Sequence, residues 1–158
     1  MTSWIEITGG RLVDGTGAPP AESSAVLLKD DCIEAIGAAV ADVAIPRGDT
    51  VMRIDATGKT VMPGLIDAHC HTSFGEAQMQ EEQDLYTSHE LRTLRSAWNV
   101  TKVLRSGVTS ISDPGGSYFI GVGIREGISE GLIQGPRMTT AGRFISTSNG
   151  ISDWYPSS

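Results

Sequence analysis

The chain has 158 residues, 39% apolar and 20% charged, which suits one ordinary globular domain, or a small domain plus part of another. Its net charge of −7 excludes a nucleic-acid binder of the usual kind, which needs a positive footprint for phosphates. Two cysteines without CxxC spacing exclude a disulfide framework or a zinc finger.

Residues 4–62 read as short strands separated by turns. The run 4–7 is a first strand, Gly9-Gly10 punctuates it, and 11–13 follows. Asp14-Gly15 marks a turn, because both residues tolerate positive φ. Segments 25–29 and 32–37 flank Asp30-Asp31 and predict a hairpin. Residues 38–49 lack periodicity and predict a loop. Segments 51–55 and 60–62, around the turn 56–59, predict a second hairpin. A unit of this size alone has a marginal core. No basic stretch leads into an apolar run at the start, and no run of 18 apolar residues occurs. Neither a secretory leader nor a membrane span is therefore expected, and a cytoplasmic location is the default.

The pattern changes at Pro63-Gly64. A short apolar strand runs through Leu65 and Ile66 towards His71. Residues 86–106 take a helical period, with Leu91, Leu94, Trp98, Thr101 and Leu104 near one face, so Trp98 is expected in the core. Thr87 with Glu90 resembles a capping box, and Gly107 occupies the place of a C-terminal glycine. Residues 108–113 form a β-branched strand, 120–132 a weaker helix with Ile124, Ile128 and Leu132 at spacing four, and 137–141 a third strand. Alternation of this kind is the α/β class with a parallel sheet.

His69 and His71 lie two apart on a strand, so they share a face and Cys70 takes the other, as an inert core residue. Imidazoles in that position suit zinc and related ions. The pattern alone leaves a metal site and a chance pairing both open. His89, in the first helical turn, reads as solvated. Asp67 is a candidate either to orient a ligand imidazole or to hold a backbone partner. Asp113 is a candidate for the pocket lining or for a purely structural role. Trp154 and Tyr155 are candidates to close over a substrate.

Residues 61–71, VMPGLIDAHCH, are similar to the PGxIDxHxH signature of the amidohydrolase superfamily. Residues 10–15 resemble the opening strand of the β-sandwich that flanks the barrel in many members. Residues 106–116 and 133–146 resemble the second and third barrel segments of the imidazolonepropionase and Xaa-Pro dipeptidase-like branch. The resemblance implies a metal-dependent hydrolase acting on a C–N bond of an amide, cyclic amide, carbamate or dipeptide. It assigns 1–62 to the first part of a composite β-sandwich domain and 63–158 to the start of a (β/α)8 TIM barrel, incomplete in this chain. It makes His69 and His71 ligands of one of one or two divalent cations, with zinc the expected ion, and implies a small-molecule substrate and a homo-oligomer. The family's other parts are a carboxylated lysine or glutamate after strand four, histidines after strands five and six, and an aspartate base after strand eight. No catalytic acid–base residue is therefore expected within these residues, and the remainder of the barrel is an expected partner. The alternative is a non-catalytic fragment or scaffold relative. One departure concerns substrate: dipeptidase-like relatives often carry a Thr-Gly-Gly-His run where this chain reads Thr147-Ser148-Asn149-Gly150, which points to a different amide-like substrate.

Overall fold

The computed structural model describes residues 2–79, 82–145, 147, 148 and 150. Trp154, Tyr155 and Asn149 lie outside the described residues. The chain divides into two compact units, Met1–Pro63 and Gly64–Ser158.

In the first unit, β1 (Ser3–Leu12), β2 (Ala21–Lys29), β3 (Cys32–Ile36) and β4 (Thr50–Asp55) form a sheet of order β3-β2-β1-β4, and β5 (Thr60–Val61) also pairs with β1. β1 is one bulged strand rather than two, with register shifts around Gly10. The β2–β3 hairpin forms as expected, with Asp30 at a φ of 53° in its turn. The second expected hairpin does not form. β4 and β5 both run parallel to β1, one beside Ser3–Thr8 and the other beside Arg11 and Leu12. Ala56 donates to the Thr8 carbonyl at 2.8 Å, and Arg11 donates to the Lys59 carbonyl at 2.9 Å. The turn at 56–59 is thus a bulge within one parallel track, matched to the bulge in β1. Residues 38–49 are not all loop, since Gly37–Asp42 winds into a 3-10 turn against β2.

Register sorts this sheet's side chains into two faces. One carries Trp4 and Leu27, both buried, and the Trp4 indole donates to Asp49 at 2.9 Å. The other carries Ile5 and Ile7 of β1 beside Met52 and Ile54 of β4, then Val26 and Leu28 of β2 beside Ile36 and Ile33 of β3. This face is apolar across four strands, and it is open: Ile33 is 67% and Met52 58% exposed.

The second unit is a parallel sheet of order β6-β7-β8, built from β6 (Leu65–Asp67), β7 (Val108–Asp113) and β8 (Arg137–Thr140). The connections are helices α1 (His89–Arg105) and α2 (Ile120–Ser129). Gly64 permits the first pairing, because a Cβ there would overlap the side chain of Thr109 on β7. Ser88, not Thr87, caps α1: its hydroxyl accepts from the Leu91 amide at 3.3 Å. Thr87 instead donates to the Glu82 carbonyl. Gly107, at φ 95°, ends the helix as expected. The buried face of α1 is Arg92, Ser96 and Val100. Leu91, Leu94 and Trp98 are exposed, so the apolar stripe does not mark the packed face. Leu132 is likewise exposed, beyond the end of α2. The core is Val100, Ile111, Ile120 and Ile124, with Cys70, Val103, Ile128 and Met138 packed against it.

Candidate metal centre

Strand β6 ends at Asp67, and its backbone keeps to the sheet for a few residues more: Cys70 donates to the Ser112 carbonyl at 3.0 Å. His69 and His71 therefore emerge together at the C-terminal edge of the sheet, with ring centres 5.0 Å apart and planes at 85°. Cys70 points the other way, into the core. Burial pushes its thiol pKa up, and the Asp67 and Asp113 carboxylates add to the shift. A thiol held protonated is a poor metal ligand.

The two imidazoles differ in surroundings. His69 is exposed. His71 is half-buried, stacked on Phe74 at 4.8 Å and edge-on to Phe144 at 5.6 Å. Its Nδ1 lies 2.6 Å from the Gly115 carbonyl oxygen. A carbonyl only accepts, so Nδ1 carries a proton, and in the neutral ring the lone pair is then on Nε2.

Gly115 reaches this place because its φ of 117° turns the chain sharply after β7, and a Cβ there would meet the Phe144 ring at 3.3 Å. The turn is anchored by Asp113, which is buried at 3% exposure. One carboxylate oxygen accepts from the Gly115 amide at 2.9 Å, and the other accepts from the Thr72 hydroxyl at 2.9 Å. Asp113 comes within 4.0 Å of His71 Nδ1 without being its nearest partner. Asp67 is exposed, and its carboxylate accepts from the His69 amide at 3.0 Å, which fixes backbone rather than a ring. His89 is exposed, with its ring beside Tyr118.

The donors present fit a first-row cation. Two imidazoles on one tetrahedral ion, at metal–nitrogen distances of about 2.0–2.1 Å, have ring centres roughly 5 Å apart. An imidazole whose Nδ1–H is held by a carbonyl is the usual state of a histidine ligand. Among the described residues no third His, Cys, Asp or Glu joins the pair to make a group of three. Of the residues expected from the sequence, His69, His71 and Asp113 come together at this edge. Thr72, Phe74, Phe144 and the Gly115 carbonyl join them unexpected; the first three stand in or just after motifs already noted, and the last is a backbone atom.

A parallel sheet with helical crossovers and paired histidines at its C-terminal edge is the layout of a barrel hydrolase. The amidohydrolase family model matches residues 60–154, and the chain belongs to that family. It is 32% identical over 114 residues to an enamidase of Eubacterium barkeri, across 71% of this chain and 25% of the enamidase. It is 37% identical over 60 residues to an imidazolonepropionase of Alkaliphilus metalliredigens, across 38% of this chain and 14% of that enzyme. A solved Xaa-Pro dipeptidase, with methionine bound in its active site, superposes with a TM-score of 0.80 at 26% identity. That match covers 95% of this chain and 36% of the dipeptidase. The matched stretches thus span only 14% to 36% of the length of these longer relatives.

Proposed function

We propose that this chain supplies the first metal ligands of a hydrolase that cleaves a C–N bond in a small amide-like molecule. The carrying observation is the pairing of His69 and His71, 5.0 Å apart, with His71 held as the Nδ1–H tautomer by Gly115. In this reading His69 and His71 hold a divalent cation, zinc being the best match to two imidazoles, through their Nε2 atoms. Such an ion supplies Lewis acidity and lowers the pKa of a bound water towards neutrality. The chain's own part is to orient the donors. Gly115 fixes the His71 ring, the Asp67 turn fixes the His69 backbone, and Phe74 and Phe144 shield one side of His71 from water.

The family resemblance supports a (β/α)8 barrel as the whole. Eight strands close such a barrel; three parallel ones are described. The remaining ligands and the acid–base residue are proposed to come from further barrel units. The open apolar face of the first unit supports the composite β-sandwich reading, because a face of that kind needs a second layer. Trp154 and Tyr155 remain candidates for the substrate loop, and Asp113 for the support of the site. The names of the relatives, an enamidase, an imidazolonepropionase and a Xaa-Pro dipeptidase, support a small substrate with a carbon–nitrogen bond to cleave.

The test is metal content and hydrolysis together. Zinc bound in stoichiometric amount, lost in both His69→Ala and His71→Ala, is the expected result. A well-folded protein that takes up no divalent ion at millimolar concentration would overturn the reading and favour a scaffold without chemistry.

A further inference from the structure

We infer that Asp113 is a positioning residue for His71, acting through the Gly115 carbonyl to decide which imidazole nitrogen is available to a ligand. The inference deepens the metal-site reading and rests on it only for the identity of the ligand.

The geometry is a relay of contacts. The Asp113 side chain is 2% exposed, and it lies at the end of β7 where the chain must turn. Its two oxygens do separate work. One takes the Gly115 amide at 2.9 Å, which sets the orientation of the turn. The other takes the Thr72 hydroxyl at 2.9 Å, which ties that turn to the residue after His71. The carboxylate thus clamps two segments 41 residues apart in sequence. Between them the Gly115 carbonyl is aimed at His71 Nδ1, 2.6 Å away. Close packing fixes the carboxylate as well, because a Cβ at Gly121, in the first turn of α2, would come within 2.7 Å of it. A carboxylate at a helix N-terminus is also favoured by the helix dipole.

A direct contact from Asp113 to His71 would do a different job. The separation of 4.0 Å is too long for a hydrogen bond. The backbone carbonyl, not the carboxylate, is therefore the atom that takes the Nδ1 proton and selects the tautomer. The Gly116 amide also donates to the Gly142 carbonyl at 2.9 Å, so the turn has two anchors. Without the carboxylate it keeps only that one, and the Gly115 carbonyl is held less firmly on His71. His71 then samples both tautomers, and the share with Nε2–H has no lone pair at the position that faces the ligand.

Long-range proton–nitrogen NMR on the metal-free protein reads the tautomer of His71 directly. The expected result is a predominantly Nδ1–H ring in the wild type. Thr72→Val removes only one clamp, and it is expected to shift the ring towards a mixture while the fold persists. Asp113→Ala should go further, to a mixture with no preference. Asp113→Asn can still accept from Gly115 and donate to Thr72, and it should restore most of the wild-type signal. Zinc titration gives the second readout: the dissociation constant should rise about twofold in Asp113→Ala, as a half-populated competent tautomer requires, and recover in Asp113→Asn. If Asp113→Ala proves unfolded, the Thr72→Val spectrum decides alone. A wild-type tautomer in Thr72→Val and in any folded Asp113 variant overturns the inference. A shifted tautomer with no zinc binding even in the wild type upholds the positioning role and removes the metal reading instead.

Discussion

The two units solve the same problem in opposite ways. In Gly64–Ser158 strands β6 and β7 are each followed by a helix that returns across the sheet, so Ile111 of β7 is sealed by Val100 and Ile124. Among the described residues of Met1–Pro63 only the short 3-10 turn Gly37–Asp42 packs on the sheet, and Ile33, Ile36, Met52 and Ile54 stay exposed. The difference teaches where chemistry can sit. A covered parallel sheet leaves its strand ends free, and His69, His71, Thr72 and Asp113 converge there. The half-open sheet offers a broad apolar surface instead, with its polar groups, among them Arg11, Glu22 and Lys59, in a shallow pocket away from that face.

The sharpest way to break the contrast is to open the sealed unit. Ile124→Ala removes a side chain that is 2% exposed, and it should cost about 2–5 kcal/mol in denaturant unfolding. Ile54→Ala, on the open face, should cost much less if that face meets only solvent. A cost comparable to that of Ile124→Ala would show the face covered by a second layer in solution, which sharpens the composite-sandwich proposal. Next in size is Gly64→Ala, which forces the Cβ onto the Thr109 side chain and should cost about 1–3 kcal/mol; Thr109→Gly in the same chain should recover much of it. Ser88→Ala removes the α1 cap, with an expected loss of about 1 kcal/mol in the same assay.

The smallest effect is a pH dependence. Glu90 in the first turn of α1 has its pKa lowered, first by its own backbone amide and then by the Ser88 hydroxyl. A depressed folded pKa contributes stability above the ordinary carboxylate range, and that contribution disappears as pH falls through the folded value. Glu90→Gln should therefore flatten the acid limb of the stability curve slightly and leave the neutral plateau almost unchanged. An unchanged acid limb would show that the contact does not persist in solution.

Much of the second unit was legible because its signals are local. Strand β7 and the glycine after α1 follow from β-branched residues and a C-terminal stop, both readable within a few positions. The histidine pair was legible as an H-x-H spacing at the end of a short apolar strand, although β6 stops at Asp67 and the pair stands just beyond it. Legibility fails where a distant partner decides. The turn at 56–59 is real, but nothing in it says whether the chain folds back on itself or continues beside β1. On α1 the apolar spacing selected Leu91, Leu94 and Trp98, while the sheet took Arg92, Ser96 and Val100, because the rotation of a helix is set by what it meets. The partner of His71 was hidden for a third reason: a backbone carbonyl has no letter of its own.

The distance along the chain between His71 and Gly115 also sets a clock. The two are 44 residues apart. At about 5–20 residues per second of synthesis, Gly115 is made roughly 2–9 s after His71. During that interval the histidine pair exists as a nascent segment, but the carbonyl that chooses its tautomer does not. Under the metal-site proposal, a cation met in those seconds would encounter an unselective pair of rings, because β7 and its turn have yet to dock. Loading of the posed pair would then be a late event in the life of each new molecule, gated by the order in which its residues are joined.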